Sequence, residues 1–208
     1  MGSFDTSSFA DKILAASSLA SEGLEGEVEF ALTDEALNSS STRENISKYA
    51  EERSREGFAF DGCVSIRAVR PSRRVTIVTG APVRPIEERV RDLLILLSEM
   101  GRLEDLVQYV LVHATPRESK MFYTQSEESK DMDPALRERL RQLESKWAEM
   151  PELGRQLLTV TFLIENDNSY EIEVEKAEGP LKGKESQAKD IVNSIFQSRL
   201  KLVRSYTK

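Results

Sequence analysis

Residues 157–176 read LLTVTFLIENDNSYEIEVEK, and this stretch constrains the fold more than any other. Leu158, Val160, Phe162 and Ile164 alternate with other residues, and Tyr170, Ile172 and Val174 do the same. Successive side chains of a strand point to opposite faces, so each run presents one apolar face to a core. The intervening ENDNS supplies residues that tolerate the backbone of a tight turn. Two such runs joined by a short turn form a hairpin, and a hairpin pairs antiparallel.

Other segments extend this sheet. In EVEFAL, Val28, Phe30 and Leu32 point one way and Glu27 and Glu29 the other. CVSIRAVRPSRRVTIVTG reads as two strands around a Pro-Ser turn, with Val64, Ile66 and Ala68 on one face and Val75 and Ile77 on the partner. LEDLVQYVLVHAT begins with helical spacing, but the β-branched and aromatic run from Val107 to Val112 favours a strand.

Helices fill the intervals. RPIEERVRDLLILLSEMG places Ile86, Val90, Leu93, Leu94, Leu97 and Met100 on one broad stripe, with Pro85 at the start and Gly101 at the exit. Ser8 is placed to cap a short amphipathic helix ending near Gly23, and Ser41 with Glu44 has capping-box spacing for another. Asp133 and Pro134 open a helix carrying Leu136, Leu140, Leu143 and Trp147, and Ala188, Ile191, Val192, Ile195, Phe196 and Val203 mark a final one.

Hairpins and interspersed helices predict an α+β fold: one largely antiparallel sheet of five or six strands packed by helices, with a helix near each end of the chain. Residues 1–24 read as an N-terminal extension bearing the short helix, and 25–208 as a single domain with a mobile loop near 116–133.

Charge is unevenly distributed. The net charge is −7, which argues against non-specific nucleic-acid binding by the whole surface. Residues 1–35 hold eight acids against Lys12, whereas 62–86 hold five arginines and no acid. Cys63 is the single cysteine, so no intrachain disulfide forms, and a cytoplasmic location is expected. No run approaches the ~18 continuous apolar residues that a bilayer-spanning helix requires.

Catalytic equipment is sparse. His113 is the single histidine, and its apolar strand makes it a structural residue, expected near the sheet edge. Cys63 becomes reactive if Arg67 or Arg70 lowers its pKa; an inert thiol at a strand start is the plainer expectation. GPLKGKES has three residues between its glycines and Glu185 after Lys184, so it fails as a phosphate-binding P-loop. Glu171, Glu173 and Glu175 alternate on one strand face, where a solvated outer surface accounts for them. An enzyme working with carboxylates alone, such as Asp61 or Glu171, lacks any spacing that identifies an acid/base pair. No cofactor, metal or small-molecule substrate is expected.

Interaction equipment is better represented. Met121, Phe122 and Tyr123 form an aromatic anchor inside polar sequence, and Leu136, Leu140, Leu143 and Trp147 form an apolar stripe. Arg67, Arg70, Arg73, Arg74 and Arg84 suit phosphate or carboxylate groups, either an external anion such as nucleic acid or the chain's own acids. MGSFDT matches the pattern for myristoylation at Gly2, and one such chain holds a membrane only marginally.

SIRAVRP, RVRDLLILLSEMG, QYVLVHATP and LTVTFLIEND occur in an element order similar to that of matrix proteins of non-segmented negative-strand RNA viruses. The likeness spans about residues 60–200 and is one of element order without a diagnostic motif. It implies a protein that coats membranes and self-associates through an extended segment. Matrix proteins are usually basic, and this chain is acidic. The residues and the resemblance together predict a non-enzymatic protein-interaction or self-assembly protein, matrix-like or adaptor-like, peripheral to a membrane if Gly2 is lipidated. The alternative is an anion- or nucleic-acid-binding module built on the arginines.

Overall fold

The computed structural model describes residues 7–21, 26–67, 84–114, 133–135, 138, 142, 158–178 and 181–206. It has the expected α+β architecture. In chain order the elements are α1 (Phe9–Ser21), β1 (Gly26–Leu32), α2 (Asp34–Asn38), α3 (Ser40–Glu52), a 3-10 turn (Ser54–Glu56), β2 (Phe58–Phe60), β3 (Cys63–Arg67), α4 (Ile86–Met100), α5 (Leu103–Leu106), β4 (Val107–Ala114), β5 (Leu158–Glu165), β6 (Tyr170–Ala177) and α6 (Glu185–Tyr206). The strands form one six-stranded sheet in the order β2-β3-β1-β4-β5-β6, and every neighbouring pair is antiparallel.

The register shows why this sequence closes into one core. Phe58, Ile66, Val28, Val112, Phe162 and Ile172 are opposite one another across all six strands, and all six are buried. Phe60, Val64, Phe30, Val110, Ile164 and Tyr170 form a parallel row. A slip of one residue in any strand would turn its apolar set to solvent, so alternation fixes the register. Burying each of these larger side chains contributes about 1.5–3 kcal/mol.

Helices cover this face. α1 lies against α4, α6, β1, β4 and β5. Phe9, Ile13, Leu14, Ala15, Ala16, Leu19 and Ala20 are all buried, as are Lys12, Ser17 and Ser18. The segment read as an amphipathic helix in an extension therefore supplies part of the core. Small residues let it approach closely: a Cβ added at Gly26 would lie 2.9 Å from the Ala20 carbonyl oxygen. Its start is closed by a reciprocal cap, with Asp11 N–H donating to Ser8 Oγ (3.1 Å) and Ser8 N–H to Asp11 Oδ2 (3.0 Å). α6 packs through Phe196, whose ring meets Phe162 at 5.3 Å and Tyr170 at 4.8 Å.

Several local expectations change. The cap of α3 is Ser39, whose Oγ accepts from Thr42 N–H; Ser41 lies within the helix. α2 was not anticipated, and Thr33 caps it. LEDLVQYVLVHAT uses both of its readings: one turn of helix, then β4. Among the described residues β3 is flanked by β1 and β2, and the expected second strand with Val75 and Ile77 lies outside the described residues. Pro134, Ala135, Glu138 and Gln142 are helical, whereas Leu136, Leu140, Leu143 and Trp147 lie outside the described residues, as do Met121, Phe122, Tyr123 and Gly2. Among the described residues no helix is long and apolar enough to cross a membrane.

Candidate functional site

The face of the sheet opposite α1 carries the chemistry. One outward row runs Arg67, Glu27, His113, Thr161 and Glu173 across five strands. A second runs Ser65, Glu29, Leu111, Leu163 and Glu171. The face is thus acidic, with an apolar centre made by the opposed pair Leu111 and Leu163 beside Tyr109.

A β-bulge arranges the polar part. Val160 opposes Val174 and Thr159 opposes Lys176, which leaves Glu175 without a partner residue. Bulges re-aim side chains, and here Glu175 accepts a short hydrogen bond from the Thr161 hydroxyl. Thr161 Oγ1 lies 2.9 Å from His113 Nδ1. A hydroxyl has one hydrogen, and this one goes to Glu175; Thr161 must therefore accept from His113, and Nδ1 carries a proton. In the neutral ring Nε2 is then left as an acceptor. His113 belongs to β4, an interior strand, and the expectation of an edge position is corrected: hydrophobic alternation reports faces, not strand order.

Cys63 opens β3 at the other side of the face. Its Sγ–H donates to Glu29 Oε1 at 3.1 Å. Desolvation, the Glu29 hydrogen bond and the nearby charges of Glu29, Asp61 and Glu27 push the thiol up to about 11. Arg67 does not activate it, because its Nε pairs with Glu27 at 3.1 Å. β1 separates Cys63 from β4, about 10 Å of sheet. Cys63 opposes Ala31, which opposes Tyr109, a position well along β4 from His113. Thiol and imidazole therefore do not form a catalytic dyad.

A cleft of about 560 Å³ lies at the β6 side, lined by Leu111, Thr161, Leu163, the four consecutive residues Glu171, Ile172, Glu173 and Val174, and the first turn of α6. Among the described residues no group of three His, Cys, Asp or Glu side chains is arranged to hold a metal ion.

Apart from Arg67, which belongs to the first outward row, the described arginines with internal partners lie elsewhere. Arg84 donates to Asp92 Oδ2 (2.6 Å) and to Glu56 Oε2 (3.1 Å), which raises its pKa. Arg89, 2% exposed on the apolar side of α4, donates from Nη1 to the carbonyls of Glu56 and Arg67. Desolvation lowers its pKa. Arg89 thereby ties the end of the 3-10 turn, at Glu56, to the last residue of β3, Arg67. It was missed in the sequence, although a charge at 89 between stripe positions Ile86 and Leu93 was the available signal. Both Arg67 and Arg84 have carboxylate partners; Arg70, Arg73 and Arg74 lie outside the described residues.

No family model, curated protein or solved structure matches this chain.

Proposed function

We propose that this chain is a non-enzymatic interaction protein whose acidic sheet face contacts a partner protein carrying basic and apolar side chains. The observation that carries this reading is the Leu111–Leu163 pair at the centre of a face whose rows carry Glu27, Glu29, Glu171 and Glu173 beside Arg67, Ser65, His113 and Thr161. Helices α1, α4 and α6 pack into the core on the opposite face, and the first turn of α6 also lines the cleft beside this one. An apolar centre with a charged rim is the anatomy of a contact surface. The residues best suited to covalent chemistry support the same reading: Cys63 is held protonated, and His113 is separated from it.

The sign of the charge favours a different protein over a second copy, because two acidic faces repel. A photo-crosslinking side chain placed at Leu163, in cells that make the protein, tests this. A crosslink to another protein, absent from the same probe at exposed Ile95 on α4, is the expected result. A crosslink only to a second copy reassigns the face to self-assembly. No protein crosslink at Leu163 overturns the reading.

A further inference from the structure

We infer that the outer edge of β6, which has no strand neighbour among the described residues, accepts a lysine- or arginine-bearing extended segment of the partner as a seventh strand. This inference rests on the binding-face reading and narrows it to one edge and one chemistry.

The first observation is geometric. Consecutive residues of a strand alternate between the two faces of the sheet. Glu171, Ile172, Glu173 and Val174 nevertheless line one cleft together. The cleft also takes in Leu111, Thr161 and Leu163 of the outward face and the first turn of α6, so it spans the outward face and the β6 side of the sheet. β6 is the last strand of the sheet among the described residues.

The second observation is the hydrogen-bond phase. Glu165 N–H donates to Ser169 O at 3.0 Å, which makes these two a bonded pair. Bonded and non-bonded pairs alternate along an antiparallel ladder. Leu163 with Glu171 and Thr161 with Glu173 are then bonded pairs. The backbone N–H and C=O groups of Ile172 and Val174 therefore point away from β5, to the side of β6 that has no strand neighbour among the described residues. They offer the donors and acceptors that strand addition uses.

The third observation selects the occupant. Glu171 and Glu173 are exposed, form no ion pair among the described residues, and project on the outward side of this edge. Glu185 adds a third carboxylate from α6, with Lys189 as the cation nearby. Like charges opposite one another destabilise a strand pair, and opposite charges stabilise it. A second β6 would place glutamates against glutamates, so the edge is guarded against its own copy. A strand with lysine or arginine at alternate positions meets Glu171 and Glu173 instead. Its intervening apolar residues fall beside Val174, which is half-buried at the margin of the core.

The test uses an acetylated peptide of alternating lysine and valine, titrated into the full chain and followed by backbone amide exchange. A second peptide of the same charge carries proline in place of valine and so lacks half of the N–H donors. Expected are slowed exchange at Ile172 and Val174, and binding about tenfold weaker for the proline peptide and for Glu171→Lys/Glu173→Lys. The neutral pair Glu171→Gln/Glu173→Gln removes the attraction without adding a repelling charge and gives an intermediate loss. Equal affinity for both peptides overturns the inference, because charge alone then suffices. Binding that perturbs Leu111 and Leu163 without protecting β6 overturns the edge and leaves the binding-face reading intact. Absence of binding by the unaltered chain also overturns the edge, while the crosslink at Leu163 still decides the broader reading.

Discussion

Cys63 and Glu29 meet diagonally across the β1–β3 pair, with the thiol hydrogen directed at a carboxylate oxygen 3.1 Å away. A neutral thiol satisfies this contact and a thiolate would be repelled by it. With the thiol raised to about 11 from an ordinary 9.0, the thiolate is scarce at neutral pH. Alkylation of Cys63 by iodoacetamide at pH 8 is expected to be at least about tenfold slower than that of a free thiol, after allowing for the higher nucleophilicity of a more basic thiolate. Glu29→Gln is expected to speed the reaction. The sign for stability follows from the same shift: the folded-state pKa is raised, so the contribution is complete below about pH 9 and is lost as pH rises through about 11. Alkylation rates across pH, followed by intact mass, check the reactivity, and denaturant unfolding across the same pH range checks the stability; a rate already maximal at pH 8 contradicts the raised pKa.

Arg89 holds two backbone carbonyls from inside the core, whereas Arg84 pairs with two carboxylates at a surface where its side chain is 39% exposed. Removing a buried cation strands its partners; removing an exposed ion pair costs little. Arg89→Ala is expected to destabilise by about 3 kcal/mol, lowering Tm by about 10 °C. Arg84→Ala is expected to cost no more than about 1 kcal/mol. Denaturant titration of the two variants checks the order, and equal losses would contradict it.

The β5–β6 turn is joined by two long-range bonds to α1 and to Ser7 just before it. Lys12 Nζ donates to Asn168 O at 2.6 Å, and Asn168 Nδ2 donates to Ser7 O at 2.6 Å. Asn168 also has φ of 76°, in the left-handed region. Asn168→Gly keeps that backbone but loses the bond to Ser7; Asn168→Ala loses both advantages and is expected to be less stable than the glycine variant by about 1 kcal/mol. Thermal unfolding of the pair measures this difference. An alanine variant as stable as glycine would show that the backbone strain is relieved elsewhere.

The hairpin of β5 and β6 and the stripe of α4 were legible because strong periodicity and turn chemistry agreed with each other. β2 was not legible: Phe58, Ala59 and Phe60 are too few for alternation to register, and β3 with β1 supplies the pairing that makes them a strand. Three serines at 39–41 offer similar caps, and only packing selects Ser39. The burial of α1 was underestimated because alanine and serine give a weak apolar signal, while their small size is what lets the helix sink against β1. On the candidate face, alternation correctly placed Glu171 and Glu173 outward. The Glu175–Thr161–His113 chain was invisible, since it depends on a bulge and on strand order, which only long-range pairing determines.

The binding role of the sheet face is tested most directly by selecting a random peptide library on the folded chain and re-testing the recovered peptides on Leu163→Lys and on Glu171→Lys/Glu173→Lys. Both substitutions fall on the outward face, so folding is monitored by Tm alongside. Expected are peptides that alternate basic and apolar residues and lose binding to both variants. Failure to enrich any peptide, or enrichment of peptides that bind both variants as well as the unaltered chain, would contradict the assignment of this face as the contact surface.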